Sequence, residues 1–335
     1  MRFLFLTDTH IRGSVPQSRK DNFYETLYEK LREVISITHD EAVDVVLHGG
    51  DIFDRPDVSP SLVREFIMLM KDLKVPVYAV AGNHDVYGQN PSTITRTMLG
   101  VLDSTGIVKL INPGEKIFFE DNGIKIQLTG QHYFYGIDNE GKEASYCIKK
   151  DAGVDFAIHL IHGMLLDKPF FQEISYTLIE DILKTEADVT LSGHYHTGFG
   201  IINIQNKYFV NPGSLIRIDS TLSELTRMPA VILLDITKDG IKIQKRILKC
   251  ARPGHEVFDC KKLEMDSFKE QKLAEFVQGL NATGKYSFTN ISAIIEQLAK
   301  KQDLDAKVVE EALKRIGQAQ EMLSRRDGEE ILEVS

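Results

Sequence analysis

The chain is short of the features that would take it out of the ordinary globular class. It has no low-complexity tract and no apolar run of membrane-spanning length. Its first residues, Phe3-Leu4-Phe5-Leu6, are apolar, but that run stops at Asp8. A membrane span needs about 20 such residues, and a secretory leader needs a longer apolar centre than this one. The run reads as a buried first strand. The protein is expected to stay in the cytoplasm, with no membrane partner. Cysteine is scarce: Cys147, Cys250 and Cys260 are scattered, odd in number and without metal-type spacing. A disulfide framework is thereby disfavoured, and reduced thiols are expected. A basic excess is missing too. The formal net charge is −9, unlike the basic footprint of a free-standing nucleic-acid binder.

What remains is enough for a large core. The 335 residues, 42% of them hydrophobic, allow one large α/β domain and a smaller one. Apolar strand-length runs end abruptly in glycine, aspartate or histidine at several places. Residues 43–47 run into Gly49-Gly50-Asp51, and residues 75–80 run into Gly82-Asn83-His84-Asp85. The first strand runs into Asp8-Thr9-His10, residues 156–161 into His162-Gly163, and residues 188–191 into Gly193-His194-Tyr195-His196. In open α/β sheets, ligands bind at the carboxyl ends of strands. Asp51 sits at the centre of this reading, because one carboxylate can bridge two cations. Two cations roughly 3.5–4 Å apart clamp the attacking and leaving oxygens of a phosphoryl displacement.

Helices are expected between these runs. Phe23, Leu27, Leu31 and Ile35 form one apolar stripe. Ser59-Pro60 opens a second helix with Val63, Ile67 and Met70 inside. A helix is expected over residues 93–104, strands over 107–108, 116–119 and 124–129, and a helix near 178–184. Asn122-Gly123 signals a hairpin. Residues 133–146 have no period and read as a long loop. His159 lies inside a strand and is expected to be a packed core histidine.

From about residue 261 the texture turns helical, with Val308, Val309, Leu313, Ile316 and Met322 as one stripe. Packing on neighbouring helices and docking of a partner both fit that stripe. The boundary is placed between residues 1–250 and 251–335.

Each short motif alone is weak; the ordered set is not. It resembles the calcineurin-like metallophosphoesterase superfamily over residues 1–248. The resemblance implies a four-layer β-sandwich flanked by helices, here followed by the small C-terminal helical module. It implies Asp8, His10, Asp51 and His196 as ligands of one metal ion, and Asp51, Asn83, His162 and His194 as ligands of the other. It makes His84 a group that contacts the phosphate and protonates or stabilises the leaving oxygen. Two divalent ions are implied; mixed imidazole, carboxylate and amide ligation suits Mn, Fe or Zn better than Ca, and manganese is the expected one.

Gly50-Asp51-Ile52-Phe53, Gly193-His194-Tyr195-His196-Thr197-Gly198 and Asn211-Pro212-Gly213-Ser214 resemble the DNA double-strand-break repair nuclease branch, the SbcD-type subunits. Members cut DNA as manganese-dependent exonucleases and endonucleases, act with an SMC-like, SbcC-type ATPase, and commonly pair as homodimers. Some members carry histidine where this chain has Asp54, so Asp54 is a candidate catalytic residue. Arg12, Arg19, Lys20 and Arg55 follow the first and second motifs and are candidate DNA-phosphate contacts; a solvated face is the alternative. A metal-dependent phosphatase and a cyclic-nucleotide phosphodiesterase are the rival activities. A scaffold that has lost catalysis is disfavoured, because every implied ligand is present.

Overall fold

The computed structural model describes residues 1–139, 141–170, 174–259 and Val308. The chain divides into two compact units, Met1–Leu263 and Glu264–Ser335. The fold below is that of the first unit. The stripe around residues 308–322 and Cys260 lie, Val308 apart, outside the described residues.

Strand β1 (Arg2–Leu6) leads through helix α1 (Phe23–Asp40) to β2 (Val45–His48). Helix α2 (Pro60–Met70), β3 (Val77–Ala79), helix α3 (Met98–Thr105) and β4 (Lys109–Leu110) follow. The hairpin of β5 (Lys116–Asp121) and β6 (Ile124–Gln131) comes next, then α4 (Lys142–Tyr146) and β7 (Phe156–Gly163). Two short strands, β8 (Leu165–Leu166) and β9 (Thr177–Leu178), pair with each other before β10 (Val189–His194). The chain continues with β11 (Gly200–Ile204), β12 (Lys207–Asn211), α5 (Leu222–Thr226), β13 (Ala230–Thr237), β14 (Gly240–Ile247) and α6 (Gly254–Val257).

These strands form two six-stranded sheets, ordered β14-β13-β1-β2-β3-β4 and β11-β12-β10-β7-β6-β5. The inner strands of both sheets are parallel: β1 to β4 in the first, and β12, β10, β7 and β6 in the second. Antiparallel strands close both edges of the second sheet and one edge of the first.

Alternation along β1 shows how the layers stack. Phe3 and Phe5 pack with Ile126, Leu128, Leu160 and Leu191 of the other sheet. Leu4 and Leu6 point the opposite way, into a core shared with Leu27 and Leu31 of α1 and Phe66 of α2. A third core, with Ile161 and Phe209, lies under the outer face of the second sheet. The result is the expected four-layer α/β sandwich, with period-2 burial making one strand serve two cores.

Local details follow the turn and cap chemistry. Asn122 and Gly123 both have positive φ, 51° and 74°, as the two-residue hairpin turn requires. Ser59 caps α2 by accepting from the Leu62 amide, with Pro60 as the first helical residue. The helix expected over residues 93–104 is broken in two. A 3-10 stretch, Pro91–Arg96, ends at Thr97, whose hydroxyl caps α3 at the Gly100 amide. The strand expected at 107–108 falls at β4 instead, and the helix expected near 178–184 is a single 3-10 turn, Ile179–Ile182. The loop expected over 133–146 contains α4. Among the described residues no helix is long and apolar enough to cross a membrane.

Candidate metal centre

Five strand ends meet at one place. The turns after β1 and β2 are laced together, the Asp8 amide donating to the Gly50 carbonyl (3.1 Å) and the His10 amide to the Asp51 carbonyl (3.0 Å). The turn after β3 joins through the His84 amide, which donates to Asp51 Oδ1 at 2.8 Å. The end of β10 joins through the His194 amide, 3.2 Å from Asp8 Oδ2. Asp8, His10, Asp51 and His194 all stand in left-handed backbone, with φ of 53°, 40°, 51° and 82°. Such a conformation costs about 1–3 kcal/mol per residue and persists where surroundings over-determine it. The glycines are steric necessities. A Cβ on Gly50 would collide with His162 Nδ1, and one on Gly82 with Asp51 Oδ1.

Two overlapping groups of side chains share Asp51, and a third, His10, Asp54 and His84, adjoins them at the rim. Ligand atoms of Asp8, His10, Asp51 and His196 all lie within 4.8 Å of one another, and so do those of Asp51, His162 and His194. Asp51 belongs to both. Its Oδ2 is 3.6 Å from His10 Nε2 and 3.4 Å from His162 Nε2. Asn83 Oδ1 stands 3.2 Å from His162 Nε2, beside the second group. His10 Nε2 and His196 Nε2 face each other at 3.0 Å. The seven candidate ligands are thus brought together, divided as the resemblance implies.

Two observations test whether cations fit. Asp51 Oδ2 and His10 Nδ1 are buried and have no hydrogen-bond partner. A buried carboxylate oxygen without a partner is costly, and a cation satisfies it. The protonation states also suit ligation. Burial opposes ionisation of Asp8 and Asp51, yet His196 beside Asp8 and His162 beside Asp51 hold both carboxyls well below the usual range. Burial pushes His10 down to about 3 and His194 to about 4. His162 goes the other way: burial lowers it, but the Asp51 charge prevails and raises it to about 9. A carbonyl only accepts, so His162 Nδ1 donates to the Gly49 carbonyl at 2.7 Å, and Nε2 faces Asp51.

His84 lies at the rim and is exposed. The same logic fixes its tautomer, because its Nδ1 donates to the Asp54 carbonyl at 2.9 Å. The Asp54 carboxylate accepts from Arg12 Nη1 at 3.1 Å and lies 3.7 Å from His10 Nδ1. Burial raises its pKa, against the Arg12 charge. Arg12 therefore lines the rim.

Arg55 is exposed, 3.5 Å from Asp57. Lys20 is exposed, with Nζ donating to the His255 carbonyl. Arg19 needs correction as a phosphate contact. Its side chain is fully buried, bonded to both oxygens of Asp21 and to the Arg217 carbonyl, and lies over Phe23 and Phe258. So buried, its guanidinium is not presented to a ligand in solvent.

Three supporting residues escaped the sequence reading. Asp85, fully buried, accepts from the amides of Gly82, Phe53 and Ile52 and so binds the Asp51 turn to the Asn83 turn. Burial, then the charge of Asp51, push it up to about 7. His48 Nδ1 accepts from the Gly50 amide, its Nε2 is 3.2 Å from Thr9 Oγ1, and Thr9 in turn donates to the Ile52 carbonyl. That chain ties together the two turns carrying Asp8, His10 and Asp51. Adjacency to Gly49 and His84 was the available signal for both. Tyr133, from the 133–146 stretch, packs its ring 5.2 Å from that of His194 and 6.0 Å from that of His162.

Comparison with known proteins agrees with this geometry. A DNA double-strand break repair protein Mre11 from Methanosarcina mazei is 23% identical over 261 residues, 74% of this chain and 38% of that protein. The Mre11 protein of Methanococcus maripaludis is 30% identical over 91 residues, 26% of this chain and 23% of its own length. The uncharacterized metallophosphoesterase YhaO of Bacillus subtilis is 24% identical over 224 residues, 64% of this chain and 53% of that one. The chain thus spans roughly a quarter to a half of the length of these curated relatives. The family model for calcineurin-like phosphoesterases matches residues 1–198, which include all five motifs. The chain therefore belongs to the calcineurin-like phosphoesterase family, with Asp and His groups compatible with a dimetal site.

Proposed function

We propose that the protein is a manganese-dependent DNA nuclease, cleaving phosphodiester bonds with exonuclease and endonuclease action. On this reading it works in DNA repair in the cytoplasm, as a homodimer, with an SMC-like, SbcC-type ATPase docked on residues 251–335. The observation that carries the hydrolytic part is Asp51, shared between two ligand groups beside an exposed imidazole. The nuclease part draws support from relatives that are named as double-strand break repair proteins.

The residues divide the work. Asp8, His10, Asp51 and His196 would hold one divalent ion, and Asp51, Asn83, His162 and His194 the other. Such ions, when bound, supply positive charge to the reacting phosphate and acidify the attacking water. His84, held through Nδ1–H by the Asp54 carbonyl, presents Nε2 to the crevice and, as the imidazolium, gives its Nε2 proton to the departing oxygen. On this reading Arg12, Arg55 and Lys20 contact the phosphates flanking the cleaved bond.

The test is a substrate panel with manganese: linear duplex DNA, single-stranded DNA, p-nitrophenyl phosphate and a 2′,3′-cyclic nucleotide. DNA cleavage that chelation abolishes is expected. Turnover of the monoester alone makes the protein a phosphatase, and turnover of the cyclic ester alone makes it a cyclic-nucleotide phosphodiesterase; either result overturns the nuclease reading.

A further inference from the structure

The stretch 133–146 carries a buried carboxylate, Asp138, that gathers three donors. Its Oδ1 accepts from Tyr146 Oη at 2.5 Å and from Thr177 Oγ1 at 2.8 Å. Its Oδ2 accepts from the Met164 amide at 2.9 Å. Met164 is tied from its other side too, its carbonyl accepting from the Thr177 amide at 2.9 Å. One group thus joins α4, the residue that leaves β7, and β9. All three partners donate, which suits an acceptor-only carboxylate, and such charge-assisted bonds are the strong ones. Burying a carboxylate is costly unless its hydrogen bonds are made. Here they are made on the segments around His162.

The place of these contacts along β7 is informative. Gly163 and Met164 directly follow His162. Tyr146 Oη lies where a Cβ on Gly163 would stand, so the hydroxyl rests against the backbone of that residue. In the sheet Gly163 is in register with His194, and His162 with Gly193. Contacts at residues 163 and 164 therefore bear on the backbone of both imidazoles of the second ligand group. Tyr133, from the same stretch, packs on both of their rings. Among the described residues, no hydrogen bond or ring contact of residues 133–146 reaches Asp8, His10 or His196.

We propose that Asp138 is a positioning residue for the second ion. Through Tyr146 and the Met164 amide it sets where the end of β7 holds His162 and, across the sheet, His194. The proposal rests on the two-ion reading of the centre and gives the 133–146 stretch control of one half only. Asp138 touches neither ion; it acts through the ligands that it places.

Calorimetric titration of the full-length, metal-free protein with manganese tests it. Two binding phases are expected, and the phase that His162→Ala removes is that of the second ion. Asp138→Asn sets an N–H where only acceptors fit. It should weaken that phase by about 10- to 100-fold, the range for groups that orient ligands, and leave the other phase unchanged. Tyr146→Phe keeps the ring and removes one hydrogen bond. It should weaken the same phase by about 2- to 10-fold, and it carries the test on its own where circular dichroism shows Asp138→Asn unfolded. Loosening of the whole fold would weaken both phases alike, so equal weakening overturns the proposal. Wild-type affinity at both ions in the folded variants overturns it as well, and the two-ion reading then stands. A wild type that binds fewer than two ions overturns the two-ion reading itself, and the proposal with it.

Discussion

His10 and His162 are both fully buried beside Asp51, yet they are driven in opposite directions. His10 stands on a left-handed turn after β1, its Nδ1 without a partner, its ring between those of His84 and His196 at 4.8 Å each. Burial and two neighbouring imidazoles keep it neutral. His162 stands inside β7, anchored by Nδ1 to the Gly49 carbonyl and closer to Asp51 Oδ2. Its proton is retained. His10 is thus poised to take a cation at once, whereas His162, and across the centre His196, which burial lowers but its bond to Asp8 raises, must first release a proton. The strain is distributed unevenly as well. Asp8 and His10 hold left-handed backbone through bonds to the Asp51 turn, while His162 needs none because its strand already aims it.

The largest expected effect comes from removing what the two halves share. Asp51→Asn takes away the carboxylate that both groups contain and should abolish manganese-dependent turnover. Calorimetric titration should show the loss of at least one of two bound ions, with circular dichroism confirming an intact fold. Retained turnover would mean that the halves are independent and that Asp51 is no bridge. Next in size is His84→Ala. A positioned acid contributes about 10²–10⁴-fold, so turnover should fall by that amount with both ions still bound. Loss of an ion instead would put His84 with His10 and Asp54 in a third ligand group, one that their ligand-atom spacing of under 4.8 Å allows.

A smaller effect separates the halves. Thr9 accepts no role in ligation, but its hydroxyl ties His48 to the Ile52 carbonyl beneath Asp8, His10 and Asp51. Thr9→Val keeps the shape and breaks both bonds. Groups that orient ligands are worth about 10–100-fold in metal affinity. One of the two binding phases should weaken by that factor, the other staying near its original value. Equal weakening of both would show that the turns after β1 and β2 support the whole centre rather than one half.

Much of this was legible in the residues because the punctuation is local. Apolar β-branched runs ending in Gly-Asp, Gly-Asn-His or Gly-His-Tyr-His announce both the strand and what stands at its end. The seven candidate ligands could be named once that ordered set was matched to the family it resembles. Arg19 could not be read so, because its fate is set by Arg217 and Phe258, some 200 residues away in the chain. A basic residue in a polar stretch looks solvated until the distant partners are folded over it. The break at Thr97 escaped for a different reason. Its apolar periodicity continues across the break, and only the Thr97 hydroxyl on the Gly100 amide starts a new helix there. Asp85 was visible as part of a motif, but its three amide partners come from two separate turns.

The smallest effect is the one that reads the two halves against each other directly, through pH. In metal-free protein His162 has a folded pKa of about 9, above its ordinary value near 6.5. Its contribution to stability is fully present below pH 6.5 and is lost as pH rises through 9. His10, at about 3, and His48, His132, His159 and His194, at about 4, are all lowered by burial. Their contribution is present above pH 6.5 and is lost as pH falls through 4. Each tenfold change in proton affinity corresponds to about 1.4 kcal/mol. The urea midpoint of the metal-free protein should therefore peak near pH 6.5 and decline on both sides. Alanine in place of His162 should flatten the alkaline side alone. Metal binding supplies the complementary reading, because a ligating imidazole must be unprotonated. At pH 7.5 the second half should release about one proton, from His162, on taking its ion, and the first half should release protons from His196 alone, which burial lowers but its bond to Asp8 raises. Calorimetry in buffers of different ionisation enthalpy measures that number. Release of no proton would mean that His162 and His196 both already stand neutral.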